Sequence, residues 1–276
     1  MPRSREGHCG FYFMAVVAII PARYGSTRFP GKPLATIGGK PMIQHVYENT
    51  SKAPGLDRVL VATDDRRILD AVEDFGGEAV LTSRHHASGT ERLAEVARKI
   101  KAEWVVNVQG DLPFIRPQTI SRILRPLWRD RSIFMGTART PIYHREEWVN
   151  PNVVKVVTDA KGFALYFSRA PIPYLGEQFR KADGRLSTGT DHNRILGYRH
   201  LGVYVYRRDF LLRFPRLRPT KLEQVEGLEQ LRALAHGCRI RVMDVDEPSV
   251  EVNTPEDLVQ AEVYLQRIGR REKKDG

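Results

Sequence analysis

The chain has 276 residues, of which 41% are hydrophobic and 28% charged, and a formal net charge of +11. That length can bury the core of one large domain, and the composition is that of a soluble globular protein. No window holds the roughly 18 to 20 consecutive apolar residues of a membrane helix, and Cys9 and Cys238 lie too far apart for a disulfide framework or a thiolate metal site. The charge favours anionic partners through long-range steering. No basic stripe interleaved with aromatics and no helix-turn-helix signature directs that charge towards nucleic acid.

Residues 1–13, MPRSREGHCGFYF, run into the first apolar stretch without a cleavage-type segment, so no signal peptide is expected. Met14 stands directly before that stretch and is the expected start. The residues ahead of it read as a disordered or misassigned extension, and the expected home is a reducing cytoplasm. From there, strand-length apolar runs at 16–20, 59–62, 79–81 and 105–109 alternate with helical patterns at 41–51, 65–75 and 90–100. Ile68, Leu69, Val72 and Phe75 fall on one helical face, as do Leu93, Val96, Ala97 and Ile100 in the next unit. A strand apolar on both sides, such as 16–20, belongs in a sheet covered by helices on both faces, so the fold class is α/β with a mostly parallel, doubly wound sheet.

Beyond about Arg139 the pattern becomes antiparallel. Runs at 153–158 and 163–168 flank the turn-like 159–162 and predict a hairpin. The polar stretch 175–193 predicts a loop near a site. A strand at 201–206, a helix at 222–235, a strand at 239–245 and a helix from Pro255 follow. In the last, Thr254, Pro255 and Asp257 match an N-cap, a first-turn proline and a third-position acid. The domain expected is 14–268, with an inserted antiparallel substrate and dimerisation subregion at about 139–206 and a charged tail at 269–276.

The segment PARYGSTRFPGKP at 21–33 carries the most chemistry. It follows the first buried strand, at the carboxyl end where open α/β sheets bind ligands. Gly25 and Gly31 allow close backbone approach, Ser26 and Thr27 are donors, and Arg23, Arg28 and Lys32 place three cations within ten residues. Arginine forks, backbone N–H groups and a lysine point charge are what a triphosphate needs. The segment is neither a Walker loop nor G-x-G-x-x-G. Asp111 comes directly after the strand ending at Gln109 and Gly110, so its carboxylate belongs at the same sheet edge. Alone it reads as a solvated turn residue. With the phosphate loop on the neighbouring strand it suits Mg²⁺, which takes one or two protein carboxylates and completes its octahedron with water and phosphate.

The pattern R-x-x-S-x-R-x-P-x-K at 23–32 resembles that of the acidic-sugar cytidylyltransferases. The likeness continues, in order, through GKPMIQHVYE, VATDD, SGTERLAEV, VNVQGD, NPNVVKVV, ALYFSRAPIP, RHLGVYVYR, LEQLRAL and NTPEDL, over roughly residues 15–265. The resemblance implies the nucleotide-diphospho-sugar transferase type of fold. It implies transfer of CMP from CTP to the anomeric hydroxyl of 3-deoxy-D-manno-octulosonate, with Mg²⁺ as cofactor, a homodimeric assembly and a product used in lipopolysaccharide synthesis. Carried over position by position, it implies that Arg23 and Lys32 hold the CTP phosphates with Ser26 and Arg28 in support. Ser88, Gly89 and Gln109 would lie at the cytosine and ribose, and Arg23, Lys32 and Asp111 would be catalytic. Arg169, His200, Tyr204, Glu229 and Gln230 would bind the sugar acid. These types suit the task, because a carboxylate wants an arginine fork and sugar hydroxyls want groups that donate or accept.

Two positions depart from the family pattern. Leu112 follows Asp111 where glutamate is usual, and Asn253 stands where the family has an aspartate that ligates the metal alongside Asp111. An amide oxygen can coordinate a hard cation but brings no charge. Glu251 would share a face with Asn253 on extended chain and could compensate. A related acceptor, an 8-amino-octulosonate or a nonulosonic acid, is the nearest alternative. A catalytically impaired nucleotide-binding protein is the second, motivated by Asn253.

Overall fold

A computed structural model describes residues 15–25, 29–176, 194–246 and 250–275. The first half holds β1 (Val16–Ala22), a small ribbon of β2 (Thr36–Ile37) and β3 (Lys40–Pro41), α1 (Met42–Ser51), β4 (Arg58–Thr63), α2 (Arg66–Asp74), β5 (Ala79–Leu81), α3 (Gly89–Lys99), β6 (Trp104–Asn107) and α4 (Pro117–Arg129). The second half holds β7 (Met135–Ile142), α5 (Arg145–Val149), β8 (Lys155–Thr158), β9 (Ala164–Ser168), β10 (Gly197–Arg207), α6 (Arg208–Arg213), α7 (Lys221–Glu226), α8 (Gln230–Ala235), β11 (Ile240–Asp244) and α9 (Pro255–Asp275).

The main sheet runs β11-β7-β10-β6-β1-β4-β5. β6, β1, β4 and β5 pair in parallel, and β10 pairs antiparallel with β6 and with β7. The predicted hairpin is present as antiparallel β8 and β9, and it joins the main sheet where Lys155 pairs with Arg199 of β10. The α/β, mostly parallel expectation therefore holds, with one antiparallel strand inside the sheet.

Alternate residues of β1 explain the two layers. Val16, Ala18 and Ile20 pack with Ile43 and Val46 of α1 and Ile120, Ile123 and Leu127 of α4. Val17 and Ile19 point the other way, onto Leu93 and Val96 of α3. Each such fully buried aliphatic contributes roughly 1.5–3 kcal/mol over an exposed one, which makes a two-sided strand the anchor of the fold.

Among the elements that the sequence reading passed over are α4 and β7. Their signal was present: Ile120, Ile123, Leu124 and Leu127 recur at helical spacing and are all buried. Gly136 of β7 lets α4 lie close, since a Cβ there would come within 2.9 Å of Leu127. The helix predicted at 222–235 is instead two short helices. α7 has a full capping box between Thr220 and Glu223, then stops at Gly227, whose φ of 62° is left-handed. The predicted α9 start is confirmed, with the Thr254 and Asp257 side chains each accepting from the other's backbone N–H. The predicted loop at 175–193 falls largely outside the described residues.

Candidate active site

The loop after β1 closes on itself before it reaches the site. Gly31 N–H donates to the Tyr24 carbonyl at 2.9 Å, and the left-handed Gly31 sits so close to the Tyr24 ring that a Cβ would approach it at 3.2 Å. A turn of 3-10 helix at Lys32–Leu34 follows and orients Lys32. The Lys32 ammonium donates to Asp111 Oδ2 at 3.0 Å and to the Val252 carbonyl at 3.0 Å. Asp111 reaches that spot because the chain after β6 hugs the end of β1. A Cβ on Gly110 would meet the Pro21 carbonyl at 3.1 Å. Val252 N–H in turn donates to the Asp111 carbonyl at 3.0 Å. Three stretches distant in sequence, after β1, after β6 and before α9, are thus tied at one sheet edge.

Two clefts open from this edge. The first is lined by Arg23, His86, Ser88, Gly89, Arg92 and Gln109. Ser88 is the N-cap of α3 and accepts from Glu91 N–H at 3.2 Å, so α3 begins at the cleft wall. Unpaired N–H groups and the positive end of the helix dipole favour an anion there. Behind them Arg92 is almost wholly buried, with 5% side-chain exposure, and pairs with Asp64 at 2.7 Å. His86 Nε2 lies 2.7 Å from Glu95. The Ser83 backbone N–H, the His86 contact and Lys99 together hold the Glu95 carboxyl down at about 2.

The second cleft, of about 410 Å³, is lined by Asn150, Asn152, Arg199, His200, Glu251 and Asn253 among others. Glu251 and Asn253 flank the fully buried Val252 and face the cleft together, as their spacing predicts. Burial, and next the neighbouring Asp111 charge, push the Glu251 carboxyl up. Asn253 N–H is held by Asp257 at 2.9 Å.

The remaining sequence candidates fall into groups. Ser26 and Arg28 lie outside the described residues. Arg169, at the end of β9, donates from Nε to the Glu226 carbonyl at 2.9 Å and from Nη1 to the Pro151 carbonyl at 3.0 Å. His200 and Tyr204 do meet, with ring centroids 5.2 Å apart, but both are buried. The Thr137 hydroxyl donates to the Val203 carbonyl at 2.7 Å, so His200 Nε2–H donates to that hydroxyl at 3.0 Å. Burial, with the Arg199 charge as a lesser cause, draws His200 down to about 3, so the ring is neutral. Burial likewise pushes the Tyr204 phenol up. Glu229, at the start of α8, accepts from the Thr90 hydroxyl next to Gly89, which ties the two candidate regions together. Gln230 is buried beside it. Of these five, His200 alone lines the second cleft.

Sequence reasoning missed Arg92 and His86, which share the SGTER neighbourhood and could have been found there. It also missed Arg199, the immediate neighbour of His200, and Lys155, for which an apolar strand pattern offers no signal.

Comparison with known proteins bears on the chain's family. The Cytidylyltransferase family profile matches residues 17–240. A 3-deoxy-manno-octulosonate cytidylyltransferase from Syntrophotalea carbinolica is 54% identical over 92% of this chain and 100% of its own. The chain belongs to the 3-deoxy-manno-octulosonate cytidylyltransferase family. The relative so named from Geobacter sulfurreducens is 53% identical over 89% of this chain and 97% of its own. A solved CMP:2-keto-3-deoxy-manno-octonic acid synthetase complexed with CTP is 41% identical and superposes with a TM-score of 0.81, covering 92% of this chain and 99% of that one. A 4-diphosphocytidyl-2C-methyl-D-erythritol synthase from Anaerococcus prevotii, 15% identical at a TM-score of 0.60 over 92% and 97% of the two chains, shares the fold alone. Among the described residues no helix is long and apolar enough to cross a membrane.

Proposed function

We propose that this chain transfers CMP from CTP to the anomeric hydroxyl of 3-deoxy-manno-octulosonate. The observation that carries the reading is the meeting of Lys32 and Asp111 at 3.0 Å, at the edge where the Arg23 cleft opens. The names of the close relatives support the substrate pair.

The anomeric oxygen attacks the α-phosphorus of CTP, the bond from that phosphorus to the β-bridging oxygen breaks, pyrophosphate departs and the hydroxyl proton passes to solvent. No covalent intermediate is needed, so the chain's work is positioning and charge neutralisation. Arg23 and the start of α3 hold the nucleotide, with Ser26 and Arg28 assigned to the same task. Lys32 neutralises charge on the departing phosphates. Ser88, Gly89 and Gln109 receive cytosine and ribose. Arg169, His200, Tyr204, Glu229 and Gln230 receive the sugar acid; a neutral His200, whose Nε2–H is spent on Thr137, serves as a fixed wall rather than a proton carrier.

Mg²⁺ fits the donor set at this edge, because Asp111 and Glu251 offer carboxylate oxygens and Asn253 an amide oxygen, and the ion favours few, hard ligands. When bound, it would neutralise phosphate charge and lower the pKa of the attacking hydroxyl. Homodimeric assembly, a cytoplasmic location and a product feeding lipopolysaccharide synthesis belong to the same proposal and rest on the family resemblance.

Incubation of the purified chain with CTP, Mg²⁺ and a panel of sugar acids, with products identified by mass, tests the reading. CMP-octulosonate and pyrophosphate are the expected products; bound CTP with no CMP-sugar from any acid would sink it.

A further inference from the structure

Lys155 is the one lysine among the described residues that is entirely buried, at 0% exposure. It sits at the junction of the sheet, paired with Ser168 of β9 and with Arg199 of β10. Its ammonium makes no ion pair with a described residue. It donates instead to three backbone carbonyls, those of Val153 at 2.6 Å, Arg169 at 2.7 Å and Asn150 at 2.9 Å. A buried cation costs several kcal/mol unless hydrogen bonds and charge offset it. A methionine of similar volume would avoid that desolvation but would take the donor from all three carbonyls, so the charge is tied to what those carbonyls belong to.

Asn150 and Val153 belong to the wall of the second cleft. Arg169 is held at three further points: its backbone N–H donates to Glu226 at 2.9 Å, its Nε to the Glu226 carbonyl at 2.9 Å and its Nη1 to the Pro151 carbonyl at 3.0 Å. Those bonds leave Nη2 with no partner among the described residues. The ammonium therefore joins the carbonyl of Arg169 to the very loop whose Pro151 carbonyl orients its side chain. It also places a second positive charge beside Arg169: burial and then the Arg169 charge draw the ammonium's pKa down, and the Glu226 charge opposes them. Both effects suit an anionic sugar and neither touches the CTP cleft.

We infer that Lys155 is a positioning residue for the sugar-acid subsite: its ammonium acts as a fixed internal cation that locks the loop at 150–153 against Arg169 and presents the free edge of that guanidinium to the substrate carboxylate. The inference rests on the assignment of Arg169 to the sugar acid, and the test separates the two.

Lys155→Ala, Lys155→Gln and Arg169→Gln are compared with wild type for the KM of the octulosonate sugar acid and, by calorimetry, for the Kd of CTP. Lys155→Ala is expected to raise the sugar KM by about tenfold or more, as the loss of a charge-assisted anchor implies, with the CTP Kd unchanged. Ethylammonium, small enough to enter the vacated space, is expected to lower that KM again. Lys155→Gln keeps two donors and is expected to fall between. An unchanged sugar KM in Lys155→Ala overturns the inference, as does a sugar KM that ethylammonium fails to lower. Loss of CTP binding by both Lys155 variants overturns it too, because the residue then serves folding at large. If Arg169→Gln itself leaves the sugar KM unchanged, the assignment of Arg169 fails instead.

Discussion

Lys32 Nζ donates at 3.0 Å to both Asp111 Oδ2 and the carbonyl of Val252, so one ammonium joins the loop after β1 to the segments that follow β6 and precede α9. The cation is consequently presented on a fixed frame. Preorganised charge of this kind acts on a transition state without reorganising during the reaction.

Lys32→Ala is therefore expected to lower kcat by about two to three orders of magnitude, the usual effect of removing one preorganised electrostatic contact. Pyrophosphate release at saturating CTP measures this. A change confined to the KM of CTP would show that Lys32 only binds.

Asn253 and Glu251 flank Val252 at the same edge, where the proposed Mg²⁺ would be held. Restoring a charge with Asn253→Asp is expected to lower the half-saturating Mg²⁺ concentration by about fivefold, and Glu251→Gln to raise it, since carboxylates attract the ion more strongly than amides. Titration of bound Mn²⁺ by electron paramagnetic resonance reads the affinity independently of turnover. Equal half-saturation in wild type and Asn253→Asp would show that Asn253 plays no part in holding the ion.

His200 predicts an acid-side loss of stability. Its folded pKa of about 3 lies below the ordinary value of 6.5, so the unfolded chain binds the extra proton. The stabilisation is complete above pH 6.5 and declines as pH falls towards 3, by up to about 1.4 kcal/mol per pH unit. Glu95, held at about 2, adds its own loss only as pH falls below about 4.5. Denaturant unfolding at pH 7 and pH 5 should therefore show a larger drop for wild type than for His200→Gln; equal drops would mean that the ring is protonated in the folded chain.

Arg92 predicts a stability cost close to the nucleotide. Arg92→Met removes the partner of Asp64 and leaves a largely buried carboxylate behind, which costs about 3 kcal/mol. Thermal unfolding should show the loss, and CTP should bind more weakly because Arg92 backs the first cleft. A melting temperature equal to wild type would place the pair on the surface.

Much of this was legible in the order of residues. A run apolar on both sides, Val16–Ala22, announces a buried parallel strand, because burial on both faces constrains local composition. Thr254, Pro255 and Asp257 likewise announce a helix start, since capping acts over a few residues.

What sequence alone determined, then, is what depends on near neighbours: strand and helix periods, caps, and which residue types could hold a triphosphate. Tertiary structure decided the rest, since it turns on contacts between residues far apart in the chain. It made His200 a buried neutral ring bonded to Thr137, and brought Lys32 to Val252 across 220 positions. It also enclosed Lys155 among three carbonyls that only the sheet junction assembles. Desolvation and hydrogen bonding depend on what surrounds a group in space, and spacing along a strand carries no record of that.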